Sequence, residues 1–446
     1  MPSSNVAEDR VPISFLSALL YWLKLGFISF GGPAGQISLM HQELVEKRRW
    51  ISDNRFLHAL NYTMVLPGPE AQQLATYLGW LMHGVWGGVL AGILFILPSF
   101  FILVGLSWGY LAYGHVDWVE GLFYGIKPAV TAIVVFAAYR IALRVLHHGV
   151  LIALSVASFL AMAVLNLPFP YVIVSAAVIG WLGSYALPEV FRSSPAENGK
   201  AHSKHLPALI DDDTVVPHTA FRWSLVFWVL MVCSGLWAGM MALLIQNDGW
   251  HGTLAQMGWF FTKAAWVTFG GAYAVLPYVY QGGVEHFGWL TAPQMIDGLA
   301  LGETTPGPLI MVVTFIGFVG GWTKTILGPD ALFFGGMLAA SIVTFFTFLP
   351  SFLLILLGGP LVEATRGNFK WTAPLTGITA AVVGVILNLA VFFGYHVFWP
   401  QGMSGAFDWI ALFLCLAAMW MLFKWQQGFM TVIAVCGFVG VVVSLL

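Results

Sequence analysis

Charge is the scarcest property of this sequence. Only 9% of the 446 residues are Asp, Glu, Lys or Arg, whereas a soluble domain carries about 25%. So few charged side chains cannot cover a water-facing surface, and the low share excludes an ordinary soluble protein. The formal net charge is −2, which offers no basic surface for nucleic acid. Because 59% of the residues are hydrophobic, we expect the lipid bilayer to be the solvent.

Cysteines and cofactor motifs are also scarce. Cys233, Cys415 and Cys436 all lie within apolar runs, and we expect them to be packing residues. The sequence contains no GxxxxGK(S/T) phosphate-binding loop, so ATP is not the expected energy source. The histidines lack the spacing of metal ligands. We therefore predict no cofactor, no metal site and no catalytic residues, and hence no enzyme.

Long apolar segments are abundant. A polar stretch at 189–222 divides them into two groups. Six segments precede this stretch and seven follow it: 13–39, 57–80, 86–110, 122–146, 150–166 and 169–188, then 223–246, 256–281, 295–322, 332–358, 372–394, 407–424 and 428–446. The alternation typical of membrane β-barrel strands does not occur, so the predicted class is an all-α integral membrane protein.

The two groups of segments share motifs at nearly constant offsets, which indicates an internal repeat. An offset of 239 residues (263 minus 24, or 306 minus 67) relates three pairs: Lys24 and Lys263, Phe30-Gly31-Gly32 and Phe269-Gly270-Gly271, Pro67-Gly68-Pro69 and Pro306-Gly307-Pro308. An offset of 252 relates Leu97-Pro98-Ser99-Phe100 to Leu349-Pro350-Ser351-Phe352. Segment 223–246 has no counterpart. Each repeat has an even number of segments, so the single extra crossing between them turns the second repeat over in the membrane. This arrangement is the inverted repeat found in many secondary transporters.

This pattern predicts four regions. They are a first repeat at 11–190, a cytoplasmic linker at 191–222, an extra transmembrane helix with its loop at 223–255, and a second repeat at 256–446. The polar first twelve residues lack the pattern of a signal peptide, and we expect a cytoplasmic N-terminus.

Basic residues refine the expected topology. Lys47, Arg48, Arg49 and Arg55 cluster in loop 41–56, whereas loop 281–294 has no Lys or Arg. Basic loops stay in the cytoplasm. Hairpins bent at the Gly-Gly and Pro-Gly-Pro motifs would keep loop 41–56 there, with Ser52 inside and Gln281 outside. Continuous crossings would reverse both positions. We favour the hairpins.

The two Gly-Gly motifs and the two Pro-Gly-Pro motifs are candidate helix breaks. A broken membrane helix exposes backbone groups that lipid cannot satisfy, so the break must be buried or line a cavity. The helix after the break begins with free N–H groups and about half a positive charge, which suits an oxyanion. The candidate binding residues are the motifs and the polar groups near them: Lys24, Gly31, Gly32, Gln36, Pro67, Gly68, Pro69, Glu70, Gln72, Lys263, Gly270, Gly271, Glu303, Thr304, Thr305, Pro306, Gly307 and Pro308.

Plainer interpretations of these residues stay open. The motifs are ordinary kinks in the alternative interpretation, and Lys24 and Lys263 extend to the membrane interface. Glu70 either stabilises the start of a helix or couples transport to protons when burial disfavours its charge. Glu303 is not its repeat counterpart, since Glu70 aligns with Leu309.

At these motifs the sequence resembles the chromate ion transporter family in its two-domain form. The resembling stretches begin at Phe30 (FGGPAGQISLMHQELVEKRRWIS), Leu66 (LPGPEAQQLATYLGW), Phe95 (FILPSFF), Phe261 (FTKAAWVTFGGAYAVLP) and Glu303 (ETTPGPL). The second repeat departs from the first at Ala272, where the first has Pro33. The resemblance implies efflux of chromate across a bacterial inner membrane and resistance to chromate.

The leading hypothesis is therefore a secondary transporter that exports chromate or a similar tetrahedral dianion. An anion channel and a sulfate transporter of the same architecture are the alternatives. The expected partners are the dianion and the lipid bilayer, with homo-oligomerisation left open and no nucleic acid.

Overall fold

A computed structural model describes residues 13–191, 208–212, 214, 216–364 and 372–445. The first twelve residues and most of the 191–222 linker lie outside this range, so the predictions made on them are not addressed. The described part is built of helices and contains no β-strand, apart from one isolated bridge between Ile51 and Ile210. The predicted all-α class is confirmed.

The described residues of the first half form eight helices. They are α1 (Phe15–Ile28), α2 (Gly32–His41), α3 (Asp53–Val65), α4 (Glu70–Tyr113), α5 (Asp117–Val145), α6 (Gly149–Ala163), α7 (Phe169–Ala186) and the short α8 (Pro188–Phe191). A π-helical turn at Gln42–Lys47 extends α2.

Nine further helices follow the linker in the part of the chain that the structure describes. They are α9 (Trp223–Asp248), α10 (Thr253–Val267), α11 (Ala272–Tyr280), α12 (Ala292–Thr304), α13 (Val312–Thr323), α14 (Leu332–Ala364), α15 (Thr372–Phe398), α16 (Trp409–Phe423) and α17 (Phe429–Ser444). A π-helical turn at Gln281–His286 extends α11, as in the first half, and a 3-10 turn at Leu309–Met311 precedes α13.

Several of these helices can cross a bilayer. Helices α4, α5, α7, α9, α14 and α15 are long and apolar enough to do so, and shorter apolar helices accompany them. Large apolar side chains on their outer faces are exposed, for example Phe101, Trp181 and Trp228. Lipid is the solvent that such faces require. The protein is therefore a multi-pass membrane protein.

Helix α4 consists of two limbs joined by a sharp kink. The backbone leaves the helical region at His83 and Gly84, where Gly84 has φ of 66° and ψ of −157°. The side chain of His83 hydrogen-bonds the carbonyl of Ile13 at 2.8 Å. The limb that begins at Glu70 therefore ends beside the start of α1.

Contacts with the linker define one end of the molecule, which we call the linker end. The amide of Leu209 donates to the carbonyl of Arg49 at 2.9 Å, and that of Ser52 donates to Ile210 at 3.1 Å. His218 bonds the carbonyl of Trp80 at 2.8 Å. The loop between α2 and α3, the kink in α4 and the start of α1 thus lie at the same end.

A different set of loops meets at the opposite end. Gln281 accepts a hydrogen bond from the amide of Phe169 at 3.1 Å. The hydroxyl of Tyr124 donates to Asp408 at 2.8 Å. Helix α5 connects the two ends, since it begins near Tyr124 and finishes at Val145, which packs with Phe191. Its 29 residues span about 43 Å at about 1.5 Å each.

The loop that follows α2 therefore lies at the linker end, whereas its repeat counterpart after α11 lies at the opposite end. Helices α1 and α2 leave and return to the same end, as do α3 and the first limb of α4. These contacts favour the hairpins over continuous crossings.

Small residues bring the two halves into close contact. Gly125 of α5 packs against the backbone of Cys436 and Gly440 in α17. Gly180 of α7 packs against Gly377 of α15 in the same manner. Each half thus packs its last helix against a central helix of the other half, with the close backbone approach that membrane helices achieve through small residues.

Candidate functional site

Two equivalent hydrogen bonds join the four helix breaks in pairs. The amide of Gly68 donates to the carbonyl of Thr268 at 2.7 Å, and the amide of Gly307 donates to the carbonyl of Ser29 at 2.8 Å. The 239-residue offset relates the two donors to each other (307 minus 68) and the two acceptors to each other (268 minus 29). Each Pro-Gly-Pro break is therefore bound to the Gly-Gly break of the other half.

Side chains hold the same breaks in place. The hydroxyl of Thr268 donates to the carbonyl of Ala264 at 2.6 Å, and that of Ser29 donates to the carbonyl of Leu25. The buried amide of Gln36 donates to the carbonyl of Gly307 at 2.5 Å. The carbonyls that these breaks expose thus find partners within the protein, as a membrane interior requires.

Two glycines are needed for this geometry. Gly68 has φ of +126° and Gly307 has φ of +97°, a region that other residues rarely adopt. A methyl group at Gly307 would lie 2.8 Å from the Cβ of Ser99, and one at Gly68 would lie 2.6 Å from the hydroxyl of Ser351. Ser99 and Ser351 are themselves related by the 252-residue offset.

Polar atoms without a partner surround the breaks. The hydroxyls of Ser99 and Ser351 are buried and make no hydrogen bond within the described part of the protein. Leaving a buried polar group unsatisfied costs about 1–3 kcal/mol, so each such group requires an explanation. Two equivalent hydroxyls beside the two glycines are the donors that an oxyanion bound beside these breaks would engage.

The helix ends add a positive field. Helices α2, α4 and α11 and the turn before α13 all begin at the breaks, so four helix N-termini lie there. The first amides of a helix have no partner within it. The partial positive charge of each end favours an anion.

Two arginines of α5 act electrostatically on groups beside the breaks. Arg140 interacts electrostatically with Tyr273 in the first turn of α11, and Arg144 interacts with Glu70 at the start of α4. Both guanidinium groups belong to exposed residues one helical turn apart. Farther along α5, Lys127 lies 3.5 Å from the buried carboxylate of Asp297.

The predicted lysines are both exposed. Lys24 is an exposed residue of α1, and Lys263 is an exposed residue of α10. The ammonium of Lys263 is 5.6 Å from the centre of the Trp259 ring. The role of both lysines in binding stays a prediction.

The remaining predicted residues are close to the breaks but differ in what they offer. The hydroxyls of Thr304 and Thr305 donate back to the carbonyls of Leu301 and Gly302, at 3.0 and 2.9 Å, so these donors are already used. Gln72 is buried and donates to the hydroxyl of Thr76 at 3.0 Å. The other predicted residues form the breaks themselves or flank them: Gly31, Gly32, Pro67, Pro69, Glu70, Gly270, Gly271, Glu303, Pro306 and Pro308.

Sequence reasoning did not identify Ser99, Ser351, Arg140, Arg144 or Tyr273 as site residues. The two serines were detectable, because they belong to the repeated Leu-Pro-Ser-Phe motif. The two arginines belong to none of the repeated motifs. Nothing in the sequence marks Tyr273 as a neighbour of the breaks.

Comparison with known proteins decides the family. The sequence matches the family described as Chromate transporter over residues 16–181 and 255–441, which include all four breaks. The chain belongs to the chromate transporter family. The predicted family resemblance is confirmed, and the family is one of transporters rather than enzymes.

Individual members of the chromate transporter family match most of the chain. It is 33% identical to a chromate transport protein of Pseudomonas aeruginosa over 84% of this chain and 80% of the relative. It is 30% identical to a probable chromate transport protein of Synechococcus elongatus over 84% of this chain and 83% of the relative. It is 28% identical to a chromate transport protein of Cupriavidus metallidurans over 84% of this chain and 81% of the relative. No solved structure matches the chain.

Proposed function

We propose that this protein is an inverted-repeat secondary transporter that carries chromate, or a similar tetrahedral dianion, past the paired helix breaks. The observation that carries the proposal is the pair of equivalent hydrogen bonds from Gly68 and Gly307. A shared centre between inverted repeats is the usual position of a transporter's binding site. The relatives named as chromate transport proteins supply the substrate.

The proposed direction is export, which would confer resistance to chromate. In a bacterial inner membrane with a negative interior, each exported negative charge gains about 2.3 kcal/mol per 100 mV. A dianion gains about twice that amount, enough for an outward gradient of about 10³-fold without ATP. The alternatives are an anion channel or a sulfate transporter with the same architecture.

The positive charge on α5 gives the first test of the proposed site. Replacing both Arg140 and Arg144 by glutamine should lower chromate flux into inverted vesicles by about tenfold at low salt, because a cationic surface concentrates an anionic substrate. Added salt should diminish the difference, since exposed charges are screened. Arg222→Gln removes an exposed charge near the linker instead and should have little effect. Equal fluxes in all three proteins at low salt would contradict this role.

Substrate choice gives a second test. Helix N-termini and hydroxyl donors recognise charge and tetrahedral shape rather than the central atom. Excess sulfate should therefore reduce chromate flux through the purified protein several-fold. Perchlorate, a tetrahedral monoanion, should compete much less, because it interacts with the positive field through one charge instead of two. If sulfate leaves the flux unchanged, a shared dianion site is excluded.

Cysteine labelling tests the proposed topology, in which the N-terminus and the linker end are cytoplasmic. The three native cysteines are buried and can be replaced first. Lys47 and His286 are exposed repeat counterparts (286 minus 47 is 239) and suit labelling better than the buried Ser52. In intact cells an impermeant thiol reagent should label His286→Cys but not Lys47→Cys. The reverse result would restore continuous crossings, and labelling of both would eliminate the inverted repeat.

A further inference from the structure

Glu303 is a buried carboxylate beside the breaks that has no cationic partner among the described residues. It is 8% exposed and makes no ion pair within the described part of the protein. Its side chain accepts a hydrogen bond from the hydroxyl of Tyr273. A neutral phenol compensates only part of the cost of burying a charged carboxylate, which is several kcal/mol without an ion-pair partner.

The position of this pair connects the two breaks of the second half. Tyr273 is in the first turn of α11, two residues after Gly271, and Glu303 is in the last turn of α12, three residues before Pro306. Their repeat counterparts are Ala34 and Met64. Because the first half builds the same break without these groups, the fold does not require the carboxylate.

The charged groups around the pair leave Glu303 uncompensated. Arg140 acts on Tyr273 from α5, and no charge acts appreciably on Glu303 itself. Glu70 on α4 lies at the other break with Arg144 near it. On α12 itself, Asp297 has Lys127 as its partner. Glu303 thus differs from the other two carboxylates near the breaks, each of which has a cation in range.

We infer that Glu303 is a proton-binding site coupled to oxyanion binding, so that the protein takes up one proton with each dianion. The inference rests on the proposed function, because it requires the dianion to bind at the breaks. A dianion close to Glu303 repels the charged carboxylate and favours its protonated form. The carboxylate oxygen accepts a proton from water when the anion binds and returns it when the anion leaves. No bond of the anion itself changes.

This coupling has a defined sign. Since protonation of Glu303 and binding of the dianion favour each other, the affinity for the dianion rises as the pH falls. If the proton crosses with the anion, each transport event moves one net negative charge instead of two. Proton coupling would then lower the outward driving force that the membrane potential alone supplies.

Sulfate is the probe for the test, because it stays a dianion in neutral solution whereas chromate itself takes up a proton near neutrality. Calorimetry on the purified full chain gives the sulfate affinity between about pH 6 and about pH 8, and a weakly buffered solution reports proton uptake. The wild type should take up close to one proton per sulfate. Its dissociation constant should rise by up to about tenfold per pH unit.

Glu303→Gln mimics the protonated side chain and should bind sulfate without proton uptake and with one affinity at every pH. Asp330→Asn, in an exposed loop, should behave as the wild type. Tyr273→Phe removes the donor that stabilises the charged carboxylate, so the pH dependence should move to higher pH. This variant tests the inference even if Glu303→Gln does not fold.

Two results would be decisive against the coupling. Sulfate binding by the wild type without proton uptake would overturn this inference alone and leave the proposed function intact. Unchanged pH dependence in Glu303→Gln, or in Tyr273→Phe if the first variant does not fold, would also overturn it. Absence of sulfate binding to the wild type at any pH would contradict the proposed function together with the inference.

Discussion

Replacing Gly307 or Gly68 by alanine should reduce chromate flux into inverted vesicles by about tenfold or more. Both glycines have positive φ, which costs other residues about 1–2 kcal/mol. The added methyl group would also lie against Ser99 or Ser351, so the break must shift. A shift weakens the amide hydrogen bond to Ser29 or Thr268 and moves the helix N-terminus that follows. An error of about 1 Å at a site of this kind is enough for a large loss.

The control for this prediction is Gly109→Ala in α4. Gly109 is helical, and a methyl group there would contact nothing within 4 Å, so the flux should stay close to that of the wild type. All variants should be compared at equal amounts of protein in the membrane. Flux through Gly307→Ala and Gly68→Ala equal to that through Gly109→Ala would show that the breaks do not form the transport site.

Breaking the buried ion pair at the linker end should have the largest effect on stability. The guanidinium of Arg55 lies 3.0 Å from the carboxylate of Glu363, and the side chains are 3% and 4% exposed. Tyr77 also donates to this carboxylate at 2.7 Å. Arg55→Met removes the cation from a buried carboxylate, which should lower the free energy of unfolding by about 3–5 kcal/mol.

Thermal unfolding of the purified protein in detergent measures this effect. The double variant Arg55→Met, Glu363→Met should be more stable than Arg55→Met alone, because no charge is then left buried. Lys47→Gln breaks an exposed ion pair with Glu43 and should change stability by less than about 1 kcal/mol. An Arg55→Met protein with the melting temperature of Lys47→Gln would contradict the assignment of a buried, stabilising pair.

The helix breaks could be predicted from sequence because backbone chemistry determines them. Glycine and proline interrupt a helix wherever they cluster, so the Pro-Gly-Pro motifs ended helices in both halves as expected. The repeat offset also relates the two hydrogen bonds to each other, since it relates the donor Gly68 to the donor Gly307 and the acceptor Ser29 to the acceptor Thr268. Local chemistry and repetition were sufficient for these features.

The direction in which each side chain points could not be predicted in the same way. A helix that is apolar on every face has no polar stripe to show which side is buried. The sequence therefore does not show that Lys24 and Lys263 are exposed, or that Arg140 and Arg144 act electrostatically on Tyr273 and Glu70. Contacts between distant parts of the chain, such as Tyr273 with Glu303, require the packed structure.

The most direct test of the central claim is chromate transport by the purified protein in liposomes with an imposed membrane potential. The wild-type protein should move chromate toward the positive side, faster than protein-free liposomes and several-fold faster than liposomes that contain the Gly307→Ala protein. Chromate movement no faster than in protein-free liposomes, or equal rates for wild type and Gly307→Ala, would contradict transport of the dianion past the paired helix breaks.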